Sequence, residues 1–291
     1  MTWLITGGSG QLGIAISQEL GERKLHFRVT NSKELDITLS PVIPEFIAQM
    51  SPKVIVNCAA WTDVDGAENS ELLASRVNSG GAENVAHGAK LCMAKLIHIS
   101  TDYVFSGDSN TPWQVDSVIN PQSAYGRTKA EGESKILAIY PENSLIVRTA
   151  WLYSPWGKNF AKTITRLAIN SDCEVRVVND QVGQPTSAID LSKQLVDLGL
   201  SSSPAGTYHG TNSGQATWFE FAQKIFELAG AEVDRIKAIS SSEFIRPAMR
   251  PSYSVLGHEA WEITSVKPMR DWKIALAEAM PAIILAVKAE E

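Results

Sequence analysis

No stretch of this sequence is apolar for long enough to cross a bilayer, and its start does not combine a basic segment with a short apolar run. A cytoplasmic protein with no membrane attachment is therefore expected. Cysteine is scarce. Cys58, Cys92 and Cys173 have neither metal-ligand spacing nor the look of a disulfide framework, which fits a reducing compartment. Positive charge is in deficit: 26 Lys and Arg stand against 32 Asp and Glu, giving a net charge of -6 with no basic cluster to offset it. Nucleic-acid binding is therefore not expected. Low-complexity tracts, internal repeats and a linker between independent domains are also missing. What remains is an ordinary globular composition over 291 residues, enough for one large α/β unit or a nucleotide-binding domain with a smaller lobe.

The chain opens as strand, glycine turn, helix. Residues 2–6 are a short apolar run, Gly7, Gly10 and Gly13 follow, and apolar periodicity then extends from Leu12 to Leu20. Glycines at these places make a tight turn, let backbone approach a pyrophosphate and let helix pack closely on strand. The helix N-terminus offers N–H groups and a positive dipole end to phosphate. The spacing is G-x-x-G-x-x-G rather than G-x-G-x-x-G, but its place after a strand and before a helix supports a dinucleotide site. Residues 25–30 predict the second strand. The positions where an NAD site often carries an acid are Asn31, Ser32 and Lys33. With no carboxylate there to repel a 2′-phosphate, NADPH is the expected cofactor. NADH stays open, because Lys33 in a solvated loop is an equal alternative.

A helix over 41–50 and a strand over 53–57 come next, and Cys58-Ala59-Ala60-Trp61-Thr62 follows. Small residues such as Ala59 and Ala60 at a strand end let a flat cofactor lie near backbone. The acidic run Asp63, Asp65, Glu68 is read as a helix start rather than a metal site, and no metal is expected. Helix is predicted over most of 67–91, with an interruption at Gly80-Gly81. Lys95-Leu96-Ile97-His98-Ile99 is a buried parallel strand. Thr101 then falls at the carboxyl end of a strand, where open α/β sheets bind ligands. A polar connection over 103–122 is long enough to be functional. On the next helix, about 123–140, Tyr125 and Lys129 are spaced i,i+4 and share a face. The pair can exchange a proton with a carbonyl or alcohol. The cation is expected to lower the tyrosine pKa from about 10 towards neutrality. A lone Tyr-x-x-x-Lys is as well explained by a half-buried Tyr and a solvated Lys, so the upstream motifs carry the reading.

A strand over 144–149 ends at Trp151, which either stacks on a substrate ring or packs the core. Later segments alternate less regularly: helix 159–169, strand 175–178, a turn-rich loop 180–186, a helix from Ala188, strand 206–210, helix 218–228 and a last helix from about Asp271. Arg246-Pro247 and Arg250-Pro251 lie in an extended segment. Their guanidinium groups either recognise a diphosphate or are solvated. The expected fold is α/β, a Rossmann-type doubly wound parallel sheet. Residues 1–150 are its NAD(P)-binding domain, some later segments return to it, and 151–291 are mainly a smaller substrate-binding lobe.

Several stretches together carry a resemblance. They are Gly7 to Gly13, Val54 to Asp65, Ser100-Thr101-Asp102-Tyr103-Val104-Phe105, Tyr125 to Glu133, Arg148 to Trp151, Asn159-Phe160-Ala161, Asn179 to Thr186, and Arg250-Pro251. They resemble the extended short-chain dehydrogenase/reductases, and within them the group that reduces dTDP-4-dehydrorhamnose. The resemblance implies NAD(P)H-dependent reduction of the C4 keto group of dTDP-4-dehydro-L-rhamnose, by a monomer or homodimer. It implies catalytic roles for Thr101, Tyr125 and Lys129. It implies cofactor contacts at Gly10, Gln11, Leu12, Asp36, Ile37, Ala60, Trp61 and Thr62, shared by Tyr125 and Lys129, with Asn31 near a position that is acidic in some members. It implies sugar-nucleotide contacts at Thr101, Asp102 and Trp151, to which the residue reading adds Arg250. Two rivals stand beside this. One is a reductase, epimerase or dehydratase for another nucleotide-linked keto sugar. The other is a non-catalytic binding module, since a regulatory subunit of methionine adenosyltransferase resembles the same group.

Overall fold

The computed structural model describes residues 2–290. Strand β1 (Thr2–Thr6) feeds helix α1 (Gln11–Glu22), and β2 (His26–Val29), α2 (Val42–Met50) and β3 (Val54–Asn57) follow. Three short helical pieces come next: α3 (Val64–Asn69), α4 (Glu71–Ser75) and, after a π turn at Arg76–Gly81, α5 (Ala82–Leu91). Strand β4 (Lys95–Thr101), helix α6 (Ala124–Ile139) and strand β5 (Ser144–Thr149) complete the first half. The helix expected over 67–91 is thus broken at Ser70 rather than at Gly80-Gly81. Ser70 is not helical (φ -141°, ψ 39°) and ends one piece as it begins the next, while the glycines sit inside a continuous π turn.

The second half holds β6 (Leu152–Tyr153), α7 (Phe160–Asn170), β7 (Val175–Val178), β8 (Val182–Gly183), β9 (Thr186–Ser187) and α8 (Ala188–Leu200). It continues with β10 (Gly206–His209), β11 (Asn212–Ser213), β12 (Ala216–Thr217), α9 (Trp218–Ala229), β13 (Ile236–Ile239), β14 (Met269–Asp271) and α10 (Trp272–Lys288).

The main sheet has the order β10-β5-β4-β3-β1-β2, and every neighbouring pair is parallel. The inner strands β1 and β3 are nearly continuous buried apolar runs, as a doubly wound sheet requires. The order reverses between β1 and β3, so their carboxyl ends diverge and open a crevice. One face packs Trp3, Ile5, Val54 and Val56 against Leu12, Ile16 and Leu20 of α1 and Leu191, Leu195 and Leu198 of α8. The other packs Leu4, Ile55 and Leu96 against Ile47 of α2, Val85 and Ala89 of α5 and Ile136 of α6. Helix α8 and strand β10 therefore complete the first layer although they lie far along the chain. A second core joins α7, α9 and α10 around Phe221, Ile225, Phe226 and Leu276, with β7 and β13 paired in parallel beside it.

Candidate active site

The glycine turn and the Thr101 strand end meet at the crevice. Gly7 has φ +66°, and a Cβ there would lie 2.6 Å from the Ala59 backbone nitrogen. A Cβ on Gly13 would lie 2.5 Å from the Gly7 carbonyl oxygen and 2.6 Å from Gly8 Cα. Both neighbours are backbone and cannot yield, so the turn accepts no side chain at either position. Gly10 caps α1 without a side-chain hydrogen bond, and the first turn of α1 carries no acid. The helix start therefore keeps its N–H groups for an anion. This cradle, shaped for close backbone approach, fits a dinucleotide pyrophosphate.

The other expected cofactor residues are placed as follows. Asn31 closes a turn by accepting from the Lys33 and Glu34 amides. Asp36 accepts from the amide and hydroxyl of Thr38. The Ile37 side chain is buried, against Gly81. Gln11 Oε1 accepts from Ser154 Oγ and Asn159 Nδ2, both at 2.9 Å, and so ties the start of α1 to the segment before α7. Leu12 belongs to the core. The Trp61 backbone is gripped by Asn78, which accepts from its amide (2.8 Å) and donates to its carbonyl (3.2 Å). Asn78 sits in the π turn before α5, a feature common at functional sites.

Thr101, Tyr125 and Lys129 converge beside the crevice. Thr101 ends β4, and Ser123 caps α6 by accepting from the Gly126 amide, which sets the helix start two residues before Tyr125. The Thr101 hydroxyl lies near the Tyr125 phenol. Burial pushes the phenol up to about 12, against a smaller lowering by that hydroxyl. The expected lowering towards neutrality is not found. Lys129 Nζ is engaged elsewhere: it donates to the Ile99 carbonyl at 2.6 Å and lies 3.3 Å from His98 Nε2. Burial takes the Lys129 ammonium down to about 8, opposed by the carboxylate of Glu133. A phenol that keeps its proton at neutral pH is suited to donating it.

Asp102 is buried beside Thr101, which donates to its Oδ1 at 3.0 Å, while Oδ2 has no partner. Burial raises its carboxyl to about 6. The Tyr103 ring meets Tyr125 edge-on at 5.7 Å and lies 5.9 Å from the Arg250 guanidinium. Arg250 is in turn paired with Asp65 Oδ2 at 3.0 Å. Of the acidic run, Asp63 caps α3 by accepting from the Gly66 amide, as a helix-start reading expects. Asp65 instead reaches Arg246, Arg250 and the Ala248 amide, and Glu68 accepts from the Ala124 amide. One face of Trp151 stacks on Trp218, centroids 3.5 Å apart and planes within 9°, which is the packing alternative for that face. Its backbone is left-handed (φ 45°), a strain that costs about 1–3 kcal/mol in a non-glycine residue.

Beyond Arg250 a cavity of about 760 Å³ is lined by Phe160, Val177, Trp218, Phe244 and Arg246. Its walls come from α7, β7 and the 241–250 segment. Sequence reasoning singled out the arginines of this region but not the apolar wall, because its parts lie roughly seventy residues apart in the chain. Beneath the site Arg148 and Glu133 form a buried two-point ion pair (3.0 and 2.8 Å), and Arg148 also holds the Val115 carbonyl (3.1 Å), pinning the 103–122 connection. Among the described residues no group of three or more His, Cys, Asp or Glu is arranged to hold a metal, and no helix is long and apolar enough to cross a membrane.

Known proteins are similar to this chain over nearly its whole length. The dTDP-4-dehydrorhamnose reductase of Streptomyces griseus is 41% identical over 285 residues, which are 97% of this chain and 93% of the relative. A probable dTDP-4,6-dihydroxy-2-methyloxan-3-one 4-ketoreductase of Streptomyces antibioticus is 40% identical over 287 residues, 98% of this chain and 97% of the relative. The crystal structure of the Bacillus anthracis dTDP-4-dehydrorhamnose reductase in complex with NADP superposes with a TM-score of 0.92 at 38% identity, over 96% of this chain and 98% of that one. The family model for the RmlD substrate binding domain matches residues 1–284. With the sheet order, the glycine cradle and this match over nearly its whole length, the chain belongs to the RmlD substrate binding domain family.

Proposed function

We propose that this protein reduces the C4 keto group of dTDP-4-dehydro-L-rhamnose with NADPH, giving dTDP-L-rhamnose. The observation that carries the reading is the convergence of Thr101, Tyr125 and Lys129 at the strand end beside the glycine cradle. NADPH, when bound, supplies the hydride; Gly7, Gly10, Gly13 and the start of α1 would hold its pyrophosphate, and the Ala59–Thr62 backbone would flank it. Tyr125 presents a protonated phenol to the keto oxygen and gives up that proton as negative charge develops there. Thr101 donates to the same oxygen, stabilising charge in a site largely closed to water. Lys129, one turn after Tyr125 on α6, keeps an N–H for the nicotinamide ribose. Asp102 and Trp151 orient the sugar. Arg250 and Arg246 turn to the diphosphate, and the apolar cavity takes the base.

The Streptomyces antibioticus relative favours a second reading, the same chemistry on another dTDP-linked 4-keto sugar. We place the protein in the cytoplasm, as a monomer or homodimer. The test is NADPH oxidation followed at its absorbance band, with dTDP-4-dehydro-L-rhamnose and a 4-keto-6-deoxyglucose analogue run in parallel, and NADH beside NADPH. Tyr125→Phe is expected to lose about 10²- to 10⁴-fold in kcat with cofactor affinity little changed. Undiminished turnover in that variant removes Tyr125 from the mechanism. Cofactor binding without reduction of either sugar would move the reading to the binding module.

A further inference from the structure

Three adjacent parallel strands place polar side chains in one rung. Thr6 ends β1, Asn57 ends β3 and His98 lies in β4; the strand register pairs Thr6 with Asn57 and Asn57 with His98. All three are buried, at 1% exposure each. The rung is hydrogen-bonded end to end. Thr6 Oγ1 donates to Asn57 Oδ1 at 2.6 Å, and Asn57 Nδ2 meets His98 Nδ1 at 3.0 Å. It ends on Lys129, whose Nζ is 3.3 Å from His98 Nε2.

Donor bookkeeping gives the rung a direction. With the Thr6 hydroxyl as donor to Oδ1, the Asn57 carboxamide turns its NH₂ to Nδ1 of the imidazole. Burial, the largest cause, holds the imidazole well below its ordinary pKa, so it is neutral and carries one ring proton. With Nδ1 accepting, that proton is on Nε2 and faces Lys129. An ammonium would meet it donor to donor. An amine accepts from it, donates one N–H to the Ile99 carbonyl and keeps one for a ligand.

We propose that His98 is a positioning residue for Lys129: the Thr6–Asn57–His98 rung aims an imidazole N–H at Nζ, fixes that atom between His98 Nε2 and the Ile99 carbonyl, and biases it towards the neutral amine. Burial acts in the same direction. The groups facing Nζ from the packed elements are few. Helix α6 contributes Glu133, which favours the ammonium and is itself paired with Arg148 of β5; the chain after β3 contributes the Cys58 thiol; β4 contributes His98. Tyr125 lies one turn before Lys129 on α6. The rung is thus the device that opposes Glu133, and the balance leaves Lys129 able to exchange a proton near working pH.

The test is a pH titration of the Lys129 ε-methylene by carbon-13 NMR, in full-length protein labelled at lysine and assigned with Lys129→Arg. His98→Phe removes the facing N–H. Thr6→Val removes the far hydroxyl at constant shape and frees Asn57 to turn. Both are expected to move the Lys129 midpoint up by about one pH unit, the scale of one hydrogen bond to a charged group. A merely structural rung would lower the melting temperature without moving the midpoint. An unmoved or lowered midpoint overturns the proposal; if His98→Phe does not fold, Thr6→Val decides alone. The kinetic counterpart, the same upward move in the pH limb of kcat for NADPH oxidation, rests on the reductase reading. Absent turnover in the unmutated protein counts against that reading, and the NMR midpoint still decides this one.

Discussion

Glu133→Gln tests the buried charge beneath the site. Glu133 and Arg148 expose only 2% and 3% of their side chains and meet at two points. Ser100 also donates to this carboxylate, and the Arg148 guanidinium lies 5.0 Å from the Phe105 ring. Neutralising the acid leaves a guanidinium in a place that water cannot reach. Breaking one side of such a pair costs about 3–5 kcal/mol. Unfolding entropy of roughly 2.1 cal/mol/K per residue gives about 0.6 kcal/mol/K for this length, so the melting temperature should fall by about 5–8 °C. Urea unfolding followed by tryptophan fluorescence gives the free energy directly. Adding Arg148→Met removes the stranded charge, so the double variant should recover part of the loss. It should not recover all of it, because the bond to the Val115 carbonyl goes too. A loss under about 1 kcal/mol in Glu133→Gln, or simple additivity in the double variant, would refute the reasoning. The same substitution removes the carboxylate that favours the Lys129 ammonium, so the Lys129 midpoint should move down, opposite to Thr6→Val.

Gly13→Ala puts a methyl 2.5 Å from a backbone carbonyl and should weaken NADPH binding by about tenfold or more, read by quenching of nicotinamide fluorescence; unchanged affinity would mean that the turn is not the cradle. Asp102 has a folded-state carboxyl raised to about 6, above its ordinary 3.8, so its contribution to stability is full below pH 3.8 and is lost as pH rises through about 6. Asp102→Asn escapes that loss: its advantage in urea unfolding should grow from near zero at pH 4 to at most about 3 kcal/mol above pH 7, and a pH-independent difference would contradict the raised carboxyl. Arg250→Ala should raise KM for the dTDP-sugar about 10- to 100-fold with kcat within about threefold, and an unchanged KM would leave Arg250 as a partner of Asp65 alone.

What could be read from the sequence was what is local in the chain. The glycine turn, the Thr101 strand end and the Tyr125–Lys129 pair each lie within one element or at its end, so periodicity and spacing suffice to place them. The acidic run shows the limit. Asp63 obeys the local rule and caps its helix, but Asp65 meets Arg246 across a separation of 181 residues. The Tyr125 shift runs opposite to the expectation for a related reason: i,i+4 spacing puts Lys129 on the right face, but it does not reveal how deeply the phenol is buried, and burial is what raises it. Nor does a run such as Lys-Leu-Ile-His-Ile disclose that its histidine is in register with Asn57 and Thr6.

The way α8 and β10 complete the first layer has a consequence for biosynthesis. The indole of Trp3 packs against Gly199, where a Cβ would lie 2.1 Å from the ring. A ribosome that has made only the glycine turn, α1 and the first strands holds a sheet with one apolar face only partly covered, since Leu191, Leu195 and Leu198 have yet to be translated. At about 5–20 residues per second that interval lasts on the order of ten seconds or more. During it the nascent chain is a client for holding factors, and a nonsense codon after residue 150 should yield an aggregating fragment rather than a free cofactor-binding domain.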